Sequence, residues 1–270
     1  MTDRRTVEVA GSPVHVLDTG AGPAVLMLHG SGPGTTGSGA WAATAAALAG
    51  SHRVVAPDQA GFGDTPLPAG TSGGLRVWTD QAAGLMDALG ETSYAVVGHS
   101  MGGAVALALA AARPRQVTRV VAVGTMGAPG AGLSPDLDAV WSAPPGLEGA
   151  RDMLDRLFLD PALVTDEAVA ARARAMEAGA ESFAAMFPAP RTRWAEDLTL
   201  SPTTLAAVTV PVLLVHGAED RLTPMRMAAL PLLDHLADVR LSVLGRCGHA
   251  PPAEQPTAFR ELLAGFLATG

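Results

Sequence analysis

Ser100 stands in Gly98-His99-Ser100-Met101-Gly102, directly after the apolar run 94–97 and directly before an alanine-rich apolar segment that reaches residue 112. This reads as a strand, a tight turn and a helix, with the serine at the apex. The Gly-x-Ser-x-Gly spacing has a mechanical reason: the turn strains the serine backbone, and side chains two residues to either side would crowd it. The serine oxygen then stands above the sheet edge. The N–H groups of the following helix point at whatever binds there and favour a developing negative charge.

A serine hydroxyl is a weak nucleophile at neutral pH. It needs a base to take its proton, and the base needs a carboxylate to fix its tautomer. His249 is the best base, because it follows the last apolar run in a turn between Gly248 and Pro251. Asp220 is the best acid, in Gly217-Ala-Glu-Asp220 after the apolar run 210–216 and before the helix-entry signal Arg221-Leu-Thr-Pro224. The chain order Ser100, Asp220, His249 is the order expected on a sheet of this kind. Glu219, Asp58 and Asp64 compete for the acid role; Asp58 and Asp64 sit at a strand end and a glycine-rich turn, where aspartate caps local N–H groups. His29 and His216 close apolar runs beside glycines and read as hydrogen-bonded structural groups. His15 lies in an early strand, and His52 and His235 read as surface residues. The His99 side chain is expected to point away from Ser100, since neighbours in a turn rarely share a face.

An acyl-type intermediate needs two N–H donors for its oxyanion. Met101, at the helix N-terminus, supplies one. Ser31, in the glycine-rich turn His29-Gly-Ser-Gly-Pro-Gly34, supplies the other from its backbone, and its hydroxyl is within reach of a substrate carbonyl. The histidines do not pair at metal-ligand spacing, one cysteine makes no zinc cluster, and no dinucleotide fingerprint appears at residues 30–34; no cofactor and no metal are expected.

Composition limits the partners. The chain has 270 residues, 48% hydrophobic and 16% charged, with a net charge of −8 and no basic run, which argues against nucleic acid. All 18 cationic residues are arginine, which excludes a Schiff-base lysine and a P-loop. Cys247 is the single cysteine, so no internal disulfide forms. The start of the chain lacks the apolar segment of a signal peptide, and residues 104–112 are too short to span a membrane. A cytoplasmic enzyme acting on a small molecule, away from membranes, is expected.

The elements that position these residues follow from hydrophobic pattern. Residues 6–10 and 14–18 alternate like strands around a turn at 11–13. Residues 24–28, 53–57, 94–97, 119–123 and 210–216 are continuous apolar runs, as in strands buried on both faces, and 239–244 alternates like an edge strand. Helices are expected over 40–49, 77–89, the segment after Ser100, 225–236 and 256–268. From residue 125 to 207 no buried strand appears, and helical stretches at 150–159 and 165–177 are punctuated by Gly, Pro and Ser. The reading is one α/β core, 1–124 with 208–270, and a helical lid, 125–207. Strands alternating with helices imply a mostly parallel, doubly wound sheet with its site at the strand carboxyl ends, where the loop at 29–31, Ser100, Asp220 and His249 would all meet.

These residues resemble the α/β-hydrolase superfamily along nearly the whole chain, which implies an eight-stranded sheet. A narrower likeness joins the glycine loop at 29–34, Ala56-Pro-Asp-Gln-Ala-Gly-Phe-Gly63, the stretch 181–191 with Arg193-Trp194, and Gly245-Arg-Cys-Gly-His249. These resemble the meta-cleavage product hydrolases, nearest to the 2-hydroxymuconate-semialdehyde branch. The resemblance implies hydrolysis of a C–C bond in a vinylogous 1,5-diketone made by ring opening of a catechol, a homo-oligomeric enzyme, and a lid arginine that holds the substrate carboxylate. Arg172 matches that arginine, with Arg174 the alternative. Two positions depart from the family: His99 replaces an Asn and Ala250 replaces a Trp, both of which line the family's pocket. His99, Gly30 and Gly32 are therefore expected at the substrate. The loss of the Trp enlarges or reshapes the site beside His249. A carboxylesterase or lactonase is the alternative activity, and a non-hydrolytic binder or cyclisation catalyst the more remote one.

Overall fold

The computed structural model describes residues 3–268. Met1 and Thr2, part of the start read above for a signal peptide, lie outside them. Eight strands form one sheet in the order β1-β2-β4-β3-β5-β6-β7-β8. Strands β1 (Asp3–Val9) and β2 (Ser12–Thr19) form an antiparallel hairpin with Thr6 opposite His15. Its turn is Ala10-Gly11, both at positive φ, one residue earlier than the expected 11–13. β2 also runs antiparallel to β4 (Arg53–Pro57). From there, β3 (Ala24–Leu28), β5 (Tyr94–His99), β6 (Val117–Val123), β7 (Val212–Gly217) and β8 (Val239–Leu244) pair in parallel, and β8 is the edge.

The continuous apolar runs are strands buried on both faces, as their composition requires. In β3, Leu26 and Leu28 join one core with α2 (Leu75–Ala88) and α3 (Met101–Ala112), while Val25 and Met27 join a second with α1 (Gly37–Leu48) and α12 (Pro256–Ala268). The sheet is thus sandwiched between helices on both faces.

Between β6 and β7 lie α4 (Pro135–Ser142), α5 (Leu147–Leu157), a 3₁₀ turn, α6 (Asp166–Ala178), α7 (Ala180–Met186), α8 (Thr192–Asp197) and α9 (Pro202–Ala206), with no strand. Three of these start with a serine or threonine accepting from the third residue on: Ser134 from Leu137 N, Thr165 from Ala168 N and Ser201 from Thr204 N. After β7, the helix expected over 225–236 shrinks to α10 (Ala229–Leu233). Pro231 has no N–H to donate, so it is tolerated only in the first turn, and a longer helix cannot pass through it. A four-residue helix that the sequence pattern did not announce, α11 (Pro251–Glu254), follows His249.

Candidate active site

β5 delivers Ser100 into a backbone conformation of φ 56°, ψ −118°, outside the regions ordinary residues occupy. The flanking glycines explain how this is tolerated. A Cβ on Gly98 would overlap the Gly102 carbonyl, and one on Gly102 would overlap the carbonyls of Leu28 and His29. The apex is tied down by Ser100 N donating to Val123 O at 2.9 Å, while Ser100 O accepts from Gly103 N and Met126 N, both at 3.0 Å.

β7 and β8 bring the two other residues to the same rim. His249 Nδ1 lies 2.8 Å from Asp220 Oδ2. The carboxylate accepts, so Nδ1 carries the proton and Nε2 is left with a lone pair. Asp220 Oδ1 accepts from Leu222 N at 2.9 Å and Thr223 N at 3.0 Å, and Oδ2 also meets the Thr223 hydroxyl at 2.8 Å. Burial works against the Asp220 charge, but His249, His216 and the Thr223 N–H outweigh it and hold the carboxyl down to about 2. Gly124 leaves room for the pair: a Cβ there would stand 3.2 Å from both Asp220 Oδ2 and His249 Nδ1.

The loop carrying His249 is held by two acidic residues. Glu219 accepts from Cys247 N at 3.0 Å. Glu254, on α11, accepts from Gly248 N at 3.0 Å, Ala250 N at 3.2 Å and Leu159 N at 2.7 Å. His249 N donates to Leu157 O at 3.0 Å. The end of α5 is therefore hydrogen-bonded to the histidine loop. The Cys247 thiol in that loop is pushed up to about 12 by burial and by nearby carboxylates, so it stays protonated.

A cavity of about 250 Å³ opens beside Ser100 and His249, and Gly30, Ser31, Gly32, His99 and Arg172 also line it. The Met101 N–H heads α3 and has no intrahelical acceptor. The Ser31 N–H likewise has no acceptor among the described residues. The Ser31 hydroxyl accepts from Trp141 Nε1 at 2.8 Å, which ties the glycine loop to α4. Gly30 is needed for close approach, since a Cβ there would stand 3.0 Å from Ser100 Cβ.

The expectation for the His99 ring does not hold. It faces the cavity together with Ser100, its centroid 4.7 Å from that of His249, and its Nε2 donates to His249 O at 2.8 Å. The strained apex at Ser100 is what lets two neighbours share a face. Burial and the adjacent His249 push His99 down to about 3, so it is neutral, with its Nδ1 lone pair free to accept.

Arg172 and Arg174 are separated by the geometry of α6. Arg174 is exposed, whereas Arg172 lines the cavity and its Nη1 donates to Pro33 O and Thr35 Oγ1, both at 3.1 Å. No carboxylate lies within ion-pair distance of Arg172 among the described residues. Burial lowers its pKa, yet arginine keeps its proton.

The remaining candidates are structural. His29 donates from Nδ1 to Gly30 O at 2.8 Å and accepts at Nε2 from Gln59 N at 2.9 Å. His216 Nε2 donates to Thr223 O at 2.8 Å. Asp58 accepts from Gly37 N at 2.7 Å and Asp64 N at 3.2 Å, so it caps α1 and the turn after β4. Sequence reasoning missed Thr223, Trp141 and Glu254, because each acts through a partner distant in sequence or through a short helix with no periodic signal. Among the described residues no cluster of metal-ligating side chains occurs, and no helix is long and apolar enough to cross a membrane.

The model of the alpha/beta hydrolase family matches residues 25–262. A 2-hydroxymuconate semialdehyde hydrolase of Pseudomonas sp. (strain CF600) is 40% identical over 98% of this chain and 93% of its own. The chain belongs to the meta-cleavage product hydrolases of the alpha/beta hydrolase family. A 2-hydroxy-6-oxo-2,4-heptadienoate hydrolase of Pseudomonas putida is 38% identical over 98% and 96% of the two chains. The solved meta-cleavage product hydrolase of Pseudomonas fluorescens IP01 superposes with a TM-score of 0.93 at 35% identity, covering 97% of each chain. At that coverage the superposition spans the inserted helices as well as the sheet.

Proposed function

We propose that this hydrolase cleaves a C–C bond in a carboxylated vinylogous 1,5-diketone, such as 2-hydroxymuconate semialdehyde or an analogue. The observation that carries this reading is Arg172, a half-buried cation without a carboxylate partner among the described residues, in the wall of the cavity that holds Ser100 and His249. A substrate carboxylate would complete it. The relatives named above act on substrates of this class.

In this reading Ser100 is the nucleophile, His249 the base and Asp220 the group that holds the base in its Nε2-accepting tautomer. The N–H groups of Met101 and Ser31 receive the oxyanion. Gly30, Gly32 and His99 line the substrate. Ketonisation of the dienol places a proton on the carbon flanking the reacting carbonyl. The departing fragment can then take the bonding electrons as a conjugated enolate. Serine attack, or attack by a water that His249 activates, breaks the C–C bond. A 2-hydroxydienoate and a carboxylic acid leave. Helices α4 to α9 (residues 125–207) act as a lid over a core made of 1–124 and 208–270. The enzyme works in the cytoplasm as a homo-oligomer without a cofactor, the former testable by fractionation and the latter by light scattering.

Turnover of 2-hydroxymuconate semialdehyde, followed as loss of its dienolate absorption with one equivalent of acid released, tests this. Ester hydrolysis is the second reading, favoured by the small Ala250 beside His249; turnover of p-nitrophenyl butyrate without turnover of any dienoate would select it.

A further inference from the structure

Part of the cavity wall comes from α1 and α11: Ala40, Ala43, Thr44, Ala250, Pro252 and Ala253. Apart from the buried Trp41 on α1, nothing in this stretch is larger than threonine or proline. Ala43 and Ala253 are exposed, so the space between the two helices runs out to the surface. Ala250 directly follows His249, so the side chain next to the base on this wall is a single methyl group.

Arg172 stands at one end of this space. Its Nη1 donates to Thr35 Oγ1, and the next residue, Thr36, caps α1 by accepting from Gly39 N at 2.9 Å. Trp41, on α1, also lines the cavity, and its Nε1–H is buried without an acceptor among the described residues. A narrow, unbranched chain bound to Arg172 would leave the alanine wall without contacting atoms, and dispersion attraction falls steeply across such a gap. The remaining wall differs. The inserted helices contribute Leu137, Val140 and Met153, all buried and bulky.

We propose that the space between α1 and α11 is a subsite for a broad apolar group, an aromatic ring or branched alkyl, borne by the carboxylate-containing half of the substrate. Ala250 sets its width. This rests on the reading of Arg172 as the carboxylate partner. It places the bulk beside the carboxylate rather than on the acyl side of the scissile bond.

Calorimetric binding of two carboxylates to the whole protein tests it without requiring turnover: sorbate, a linear dienoate, and 2-naphthoate, a broad one. The expected result is at least tenfold tighter binding of naphthoate by the wild type. Ala250→Trp should weaken naphthoate at least tenfold and leave sorbate within threefold. Ala253→Phe, at an exposed position that tolerates the change, should act in the same direction. Arg172→Gln should weaken both ligands. Arg174→Gln, at an exposed position outside the cavity lining, should spare both ligands. The proposal is overturned if sorbate binds as tightly as naphthoate, or if Ala250→Trp and Ala253→Phe both leave naphthoate within threefold of wild type. If the binding pattern holds while no dienoate is cleaved, the subsite stands and the C–C reaction fails.

Discussion

The His99 ring donates from Nε2 to the backbone carbonyl of His249 at 2.8 Å, so the residue before the serine is bonded to the residue proposed as its base. The bond fixes the His99 tautomer and braces the segment that carries His249. It also requires His99 to be neutral and Nε2-protonated, a state that ¹⁵N-histidine spectra should show unchanged from pH 8 to pH 5. A protonated His99 ring at pH 6 would contradict it.

A dependence of stability on pH follows. His99 sits at about 3 when folded against an ordinary value of 6.5, and burial lowers His29 and His216 as well. The unfolded chain therefore binds more protons below pH 6.5. Stability is full above that value and is lost as pH falls towards about 3. For His99 this cost is about 1.4 kcal/mol at pH 5.5. Asp220, held at about 2, works at lower pH, its contribution lost as pH falls from 3.8 through 2. Urea unfolding at pH 7.5 and 5.5 should show the loss, and His99→Asn should shrink the difference.

Arg172→Gln should raise the KM of a carboxylated substrate by about 10–100-fold, consistent with the loss of a charge-assisted pair of roughly 1.5–3 kcal/mol. Arg174→Gln should leave it within twofold, because that side chain is exposed. Uncharged p-nitrophenyl esters should be indifferent to both. Equal effects of the two substitutions would remove Arg172 from the site.

Glu254 bridges the histidine loop and the end of α5 by accepting from Gly248, Ala250 and Leu159 N–H groups. Glu254→Ala removes the acceptor of three N–H groups, two of them on the buried residues Gly248 and Ala250, and should cost about 2–3 kcal/mol, measured by denaturant unfolding. Glu254→Gln keeps one acceptor, should fold, and should lower kcat more than it raises KM, since the carboxylate positions His249 and is not among the residues that line the cavity. Unchanged kcat in a folded Glu254→Gln enzyme would dissociate the clamp from the reaction.

Gly102→Ala should abolish soluble expression or cost more than about 4 kcal/mol, because its Cβ would overlap two backbone carbonyls that cannot yield. Thermal melting of a Gly102→Ala protein with near wild-type stability would contradict the elbow geometry.

Much of this site is legible in the sequence, because its parts end strongly patterned elements. Residues 24–28, 53–57 and 239–244 are strands over the expected spans, since a run of Val, Leu and Ala buried on both faces has few other uses. Ser100, Asp220 and His249 meet because each follows such a strand. What escapes is contact between distant segments. Trp141 reaches Ser31 across 110 residues, and nothing near either residue announces it. The orientation of His99 escapes too, because it depends on the strained φ of Ser100 and not on the usual alternation along a strand. Pro231 was visible, but the run around it is apolar enough to read as a full helix.

The central claim is that Ser100 attacks, or directs the attack on, the substrate carbonyl with His249 as base. Pre-steady-state turnover of 2-hydroxymuconate semialdehyde by the wild type and by Ser100→Ala tests it most directly, with the dienolate absorption as the signal. The account predicts rapid loss of the band with the wild type and a drop of at least about 10³-fold with Ser100→Ala, the scale of a removed nucleophile. A Ser100→Ala rate within tenfold of wild type would contradict it.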